Sequence, residues 1–223
     1  MSVIQLLQLE YAKWRNNSVI TILALLYMIM MPVALFMAKE IKDLPDPLSS
    51  TQTFFIFPTV WDWMGYVGSW LSFFCLGLIS IFMIVNEVSY KTFRQNIITG
   101  MTKKEYFLSK IYAMLAVAAA GTLYYSLICL VSGFLHTKYP DIGFAFDNSF
   151  AILRFFLMTV GYMTIGMFIA FLIRKSGVSV LLYLIYVLML EPAIKWGLHF
   201  KALELNHPSL NYYPANVFED LTP

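Results

Sequence analysis

Residues 19–38 read VITILALLYMIMMPVALFMA, twenty consecutive positions from Val19 to Ala38 without a charge. A helix needs about 20 apolar residues to cross a hydrocarbon core roughly 30 Å thick. The apolar part of a secretion signal takes only about 7 to 15 residues and ends in a small-x-small cleavage site, which is missing here. The run therefore reads as a retained transmembrane helix. Four further stretches approach the same length: 63–85 (Trp63–Val85), 111–135 (Ile111–Leu135), 155–173 (Phe155–Ile173) and 178–200 (Val178 to about Phe200). The first three carry no charge, and the last is interrupted by Glu191 and Lys195. The sequence predicts an all-α polytopic membrane protein with five spans in a single domain covering 1–223.

Composition agrees, with 60% hydrophobic and 13% charged residues against about a quarter charged in soluble domains. A net charge of +2 and basic tracts no longer than two residues leave no electrostatic footprint for nucleic acid. Cys75 and Cys129 lie inside apolar runs and read as small core hydrophobes rather than a disulfide framework.

Orientation follows from the basic residues, which stay on the cytoplasmic side. With the N-terminus inside, that side receives Lys13, Arg15, Lys91, Arg94, Lys103, Lys104, Lys110, Arg174 and Lys175, nine of the 15 Lys and Arg residues. Five spans then place segment 201–223 outside. Trp61, Trp63, Tyr66 and Trp70 at the outer start of span two, Trp196 near the outer end of span five and Trp14 at the inner face fit interfacial belts.

Before the first span, segment 2–17 repeats Ile4, Leu7, Tyr11 and Trp14 at helical spacing, with Gln5, Gln8, Lys13 and Arg15 off that stripe. This is the pattern of an amphipathic helix lying along the inner leaflet. Two readings stand: a lead-in that only anchors, or an elbow that takes part in a mechanism.

Between spans two and three, NEVSYKTFRQNIITGMTKKEYF runs from Asn86 to Phe107 with the punctuation of helix, stop, helix. Gly100 suits the left-handed residue that ends a helix, and Thr102 followed by Glu105 forms a capping box that starts the next. Tyr90, Phe93 and Ile97 mixed with Lys91 and Arg94 suit docking to a partner or to anionic lipid.

The amphipathic N-terminal helix, the first span, the acid ending span two, Thr92-Phe93-Arg94, Gly100 to Phe107 and Lys110 together resemble the permease subunits of type-2 ABC transporters, mostly exporters. The resemblance is loose over the whole chain and most specific from Glu87 to Lys110. It implies that region 86–110 is the coupling helix seated in an ATPase subunit, with Glu87, Lys91, Thr92, Arg94, Gly100, Lys103, Lys104, Tyr106 and Lys110 as coupling residues. It also implies ABC ATPase partners that bind ATP and magnesium, a second permease copy or a similar permease, surrounding membrane lipids, and a bacterial cytoplasmic (inner) membrane location. Members usually carry six spans, so the resemblance implies one more span than this sequence contains.

No phosphate-cradling Gly-x-x-x-x-Gly-Lys-Ser/Thr loop and no His-Glu-x-x-His pair occurs, so the chain reads as catalytically silent, without metal or cofactor of its own. Glu191 lies about 21 Å along the fifth span, counted at 1.5 Å per residue. Two readings stand for Glu191-Pro192: interfacial snorkelling or pairing with Lys195, and lining an outer cavity on a translocation path. Pro192 is expected to kink or end the helix. The small residues Ala116, Ala120, Gly121, Gly161 and Gly166 suit close helix packing, within the chain or between two permeases. The rival to a transporter subunit is a non-transporting scaffold or self-protection (immunity) protein that docks a cytosolic partner through the same loop. An intramembrane enzyme lacks the constellation it needs.

Overall fold

A computed structural model describes residues 2–39, 55–90, 92–98, 100–137, 143, 146, 148–201, 213–219 and 221. The described residues form helices and no strands. Helix α1 (Val3–Trp14) precedes α2 (Ser18–Lys39). Helices α3 (Thr59–Leu71) and α4 (Gly77–Ser89) are two parts of one rod, joined by a π-helical segment at Ser72–Leu76. After the short α5 (Thr92–Ile98) come α6 (Lys103–His136), α7 (Phe150–Ile173), and α8 (Ser176–Ile185), which passes through a second π segment (Tyr186–Leu190) into α9 (Glu191–Lys201). Helix α10 (Pro214–Glu219) packs on α7. Five of these rods are long and apolar enough to cross a membrane: α2, α3–α4, α6, α7 and α8–α9.

The second rod is the hub. It is 67% buried along its apolar window, whereas the first and fifth are 17% buried, so those two present most of their surface to lipid or to another chain. Several side-chain hydroxyls inside the bundle are satisfied by backbone carbonyls, as a solvent without hydrogen bonds favours. Tyr125 Oη donates to the Trp61 carbonyl at 2.7 Å, and the Tyr125 ring stacks on Phe155 with centroids 4.1 Å apart. Trp61, expected in an interfacial belt, is fully buried in this core.

Both π segments have local causes. In the first, the Gly77 N–H reaches back to the Ser72 carbonyl, and the Phe73 carbonyl accepts from Tyr183 Oη at 3.1 Å. In the second, the Glu191 N–H bonds the Tyr186 carbonyl, one residue further back than in an α-helix. Pro192 has no N–H to offer, and the wider turn just before it absorbs the mismatch. Of the two outcomes expected at Pro192, a kink or an end, the helix does not end there but runs on to Lys201, and the regular α-helix is interrupted by the π segment just before it.

Of the small residues, the glycines make the close approaches. A Cβ on Gly166 would stand 2.8 Å from the Gly77 carbonyl oxygen and 2.5 Å from Ser80 Oγ, which is how α4 and α7 come together. Gly121 faces Leu76 and Tyr27, and Gly161 faces Phe218. Ala116 and Ala120 stand exposed, so the packing that the sequence assigned to them within the chain falls to Gly121.

Candidate functional site

Helix α1 begins with a reciprocal cap: the Gln5 N–H donates to Ser2 Oγ at 3.3 Å and the Ser2 N–H to Gln5 Oε1 at 3.0 Å. Its inward face is Leu6, Glu10 and Lys13, while Ile4 and Tyr11 are exposed. The stripe read from the sequence is therefore split: Ile4 and Tyr11 point away from the protein while Leu7 and Trp14 are half-buried, and of the polar residues off it Lys13 is drawn inward while Gln5, Gln8 and Arg15 stay exposed. The outward apolar side chains suit a helix whose surroundings are membrane rather than water.

Glu10 and Lys13 meet two charges delivered by other helices. Lys110 Nζ, about two turns into α6, lies 2.5 Å from Glu10 Oε2 and 2.8 Å from Glu87 Oε1 near the end of α4. Lys13 Nζ lies 2.9 Å from Glu10 Oε1 and 2.6 Å from Glu87 Oε1. The four side chains form a closed ring of alternating sign. Glu10 and Lys110 are 0% exposed and Glu87 is 4% exposed. Such desolvated charges are tolerable only when paired, and removing one strands the others. Burial alone would lower the Lys13 ammonium, but Glu10 and Glu87 outweigh it and hold its pKa above the ordinary 10.5.

The ring is seated on local structure. Tyr106, one turn before Lys110, packs against Leu6 and Met101 and puts its ring 5.4 Å from Lys110 Nζ. Thr92 Oγ1 donates to the Glu87 carbonyl at 3.3 Å, tying α5 to the end of α4. Gly100 takes φ +103°, and the chain turns there into the Thr102–Glu105 capping box, with the Glu105 N–H on Thr102 Oγ1 at 3.2 Å. Helices α1, α4, α5 and α6 are thus joined at one end of the bundle.

Of the sequence-predicted site residues, Glu87, Thr92, Tyr106 and Lys110 converge on this ring. Glu87, Tyr106 and Lys110 are buried, so they brace the region and leave surface contact to others. Lys103, Lys104 and Gly100 are exposed. Arg94 lies on α5 with its side chain outside the described residues, as is the whole of Lys91. Sequence reasoning missed Glu10 and Lys13 as members, although Leu6, Glu10 and Lys13 recur at helical spacing as a second stripe. It also missed Ile98, which is 83% exposed at the end of α5, as Tyr90, at the end of α4, is 74% exposed.

At the far end of the fifth rod, Glu191 and Pro192 line a cavity of about 260 Å³ together with Ser69, Phe73, Tyr162 and Trp196. Glu191 is 4% exposed. Residues from both π segments, Phe73 on one and Val187 with Leu188 on the other, form part of its wall.

Five membrane-crossing rods with an N-terminal helix clamped to their base define a multi-pass membrane protein whose charged end is built as one unit. The family model of the ABC-2 family transporter proteins matches residues 6–190, and the chain belongs to that family. It is a transmembrane permease component of an ABC transporter. No curated protein matches the chain in the comparison.

Proposed function

We propose that this chain is the permease half of an ATP-driven exporter, working as a dimer with itself or with a similar permease and driven by two separate ATPase subunits. Its N-terminus lies in the cytoplasm of a bacterial cell and its spans in the cytoplasmic membrane. ATP and magnesium act in the partner subunits, and the chain itself is not an enzyme. The observation that carries this reading is the ring of Glu10, Lys13, Glu87 and Lys110, which joins three helices at the end where Tyr90, Ile98, Lys103 and Lys104 stay exposed.

An ATPase seated on α5 pushes against a base that cannot yield locally, because α5 is bonded to α4 and α4 is ion-paired to α1 and α6. Displacement of that base is therefore passed to the spans as a rigid-body motion. The cavity beside Glu191 is the outer part of the path, and the two π segments in its wall are places where a helix can change register.

Co-purification tests this. Wild-type permease is expected to retain its ATPase, whereas Ile98→Asp and Tyr90→Ala, both at exposed positions, are expected to lose it while the permease stays folded. Retention of the ATPase by both variants would overturn the docking surface, and recovery of no ATPase with wild type would favour the scaffold reading.

A further inference from the structure

A lateral trench of about 480 Å³ runs between α2 and α6 with its floor on Leu76 and Ile79. It starts at Trp14 and Arg15 and ends at Met28 and Tyr124. From Ile20 to Met28 the wall climbs about 12 Å at 1.5 Å per residue, close to the roughly 15 Å of hydrocarbon in one leaflet.

The polar groups of the trench are sorted along its length. In the deep part each hydroxyl is already used on backbone: Tyr27 Oη donates to the Gly121 carbonyl at 3.3 Å, Tyr124 Oη to the Met28 carbonyl at 2.6 Å, and Thr21 Oγ1 to the Asn17 carbonyl at 3.0 Å. At the mouth the situation reverses. The Trp14 indole N–H is buried with no hydrogen-bond partner among the described residues. The exposed Arg15 guanidinium makes no ion pair or side-chain hydrogen bond among them either, and Glu10 and Glu87 are paired with Lys13 and Lys110.

We propose that this trench is a binding site for one anionic phospholipid of the leaflet on which α1 lies, with an acyl chain in the apolar part and the phosphate on Arg15. Donors without acceptors at the mouth call for an acceptor-rich group, and a guanidinium without a carboxylate calls for a net negative one. An apolar slot one leaflet deep calls for a hydrocarbon chain. The lipid fills the gap between the first and third spans next to the charge ring, so it supports the same base. The inference rests on the proposed function only for naming this leaflet the cytoplasmic one.

Native mass spectrometry of the isolated permease, recovered from nanodiscs of phosphatidylcholine mixed equally with phosphatidylglycerol, tests it. One phosphatidylglycerol is expected to remain bound after detergent delipidation. Arg15→Gln is expected to cut that retention several-fold, and Ala120→Phe, which adds a ring at an exposed trench-lining position, to abolish it. Lys104→Gln, basic and exposed but away from the trench, should retain it fully. Thermal unfolding of each variant, unchanged from wild type, shows that the fold survives. Equal retention of the two lipids, or retention indifferent to both trench variants, would overturn the site. So would a permease dimer that holds no lipid and dissociates in Ala120→Phe, which would give the trench to a second copy. Because no ATPase is present, failure of this experiment and failure of the co-purification are separate results.

Discussion

Lys13 on the N-terminal helix and Glu87 at the end of the second span are 74 residues apart in sequence and 2.6 Å apart in space. That pair closes the ring begun by Glu10 and Lys110 and converts a surface helix into part of the bundle. Ring closure leads to a direct prediction about its members. Lys110→Met leaves two carboxylates sharing one ammonium, and a broken buried pair costs about 3–5 kcal/mol. Thermal unfolding in detergent is expected to show that loss for Lys110→Met, and Lys110→Met with Glu10→Gln is expected to recover part of it, since charge balance returns.

The same ring fixes a pH dependence for Lys13. Its folded pKa is raised above 10.5 because Glu10 and Glu87 outweigh the cost of burial. A raised pKa means that the stabilisation is complete below the unfolded value and is lost as pH rises through the folded one. Protease sensitivity of the N-terminal segment, measured from neutral pH upward, is therefore expected to stay flat to about pH 10 and then rise. Lys13→Met is expected to be sensitive already at neutral pH, without the alkaline step.

Where α4 and α7 touch, space is the limiting quantity. A Cβ on Gly166 meets the Gly77 carbonyl oxygen at 2.8 Å, and backbone cannot move aside as a side-chain tip can. Gly166→Ala is expected to cost about 1–3 kcal/mol through overpacking, read as a lowered unfolding temperature. Gly177→Ala, with nothing within 4 Å of the added Cβ, is the matched control and is expected to leave that temperature within a degree or so of wild type.

Topology can be checked without knowing the cargo. Cys75 and Cys129 are buried, which leaves a low background for thiol labelling. In right-side-out vesicles, Lys195→Cys is expected to react with a membrane-impermeant maleimide, whereas Lys104→Cys is expected to react only after permeabilisation. The reverse pattern would invert the protein in the membrane.

Much of this architecture is legible in the sequence, for a reason specific to the solvent. Lipid accepts no unsatisfied backbone, so uncharged runs such as Val19–Ala38 must be helices. The turn at Gly100 and the start at Thr102 were equally legible because their causes lie within three residues. The charge ring was not, since Lys110 and Glu10 lie 100 positions apart and no local pattern announces such a pairing. Helix α1 was legible as an amphipathic helix, but its inward face was not: Ile4 and Tyr11 turn outward while Leu6 and Glu10 turn in, because the partners of Glu10 come from distant helices. Pro192 announced a break in the regular helix but not its form, because the π turn before it supplies the tolerance that lets the helix continue.

Photo-crosslinking in intact membranes tests the central claim most directly. A photoreactive amino acid placed at Ile98, exposed at the base, is compared with one at Leu135, exposed near the opposite end of α6. The account predicts an adduct with the ATPase subunit from position 98 and none from position 135. No adduct at 98, or equal adducts from both positions, would contradict it.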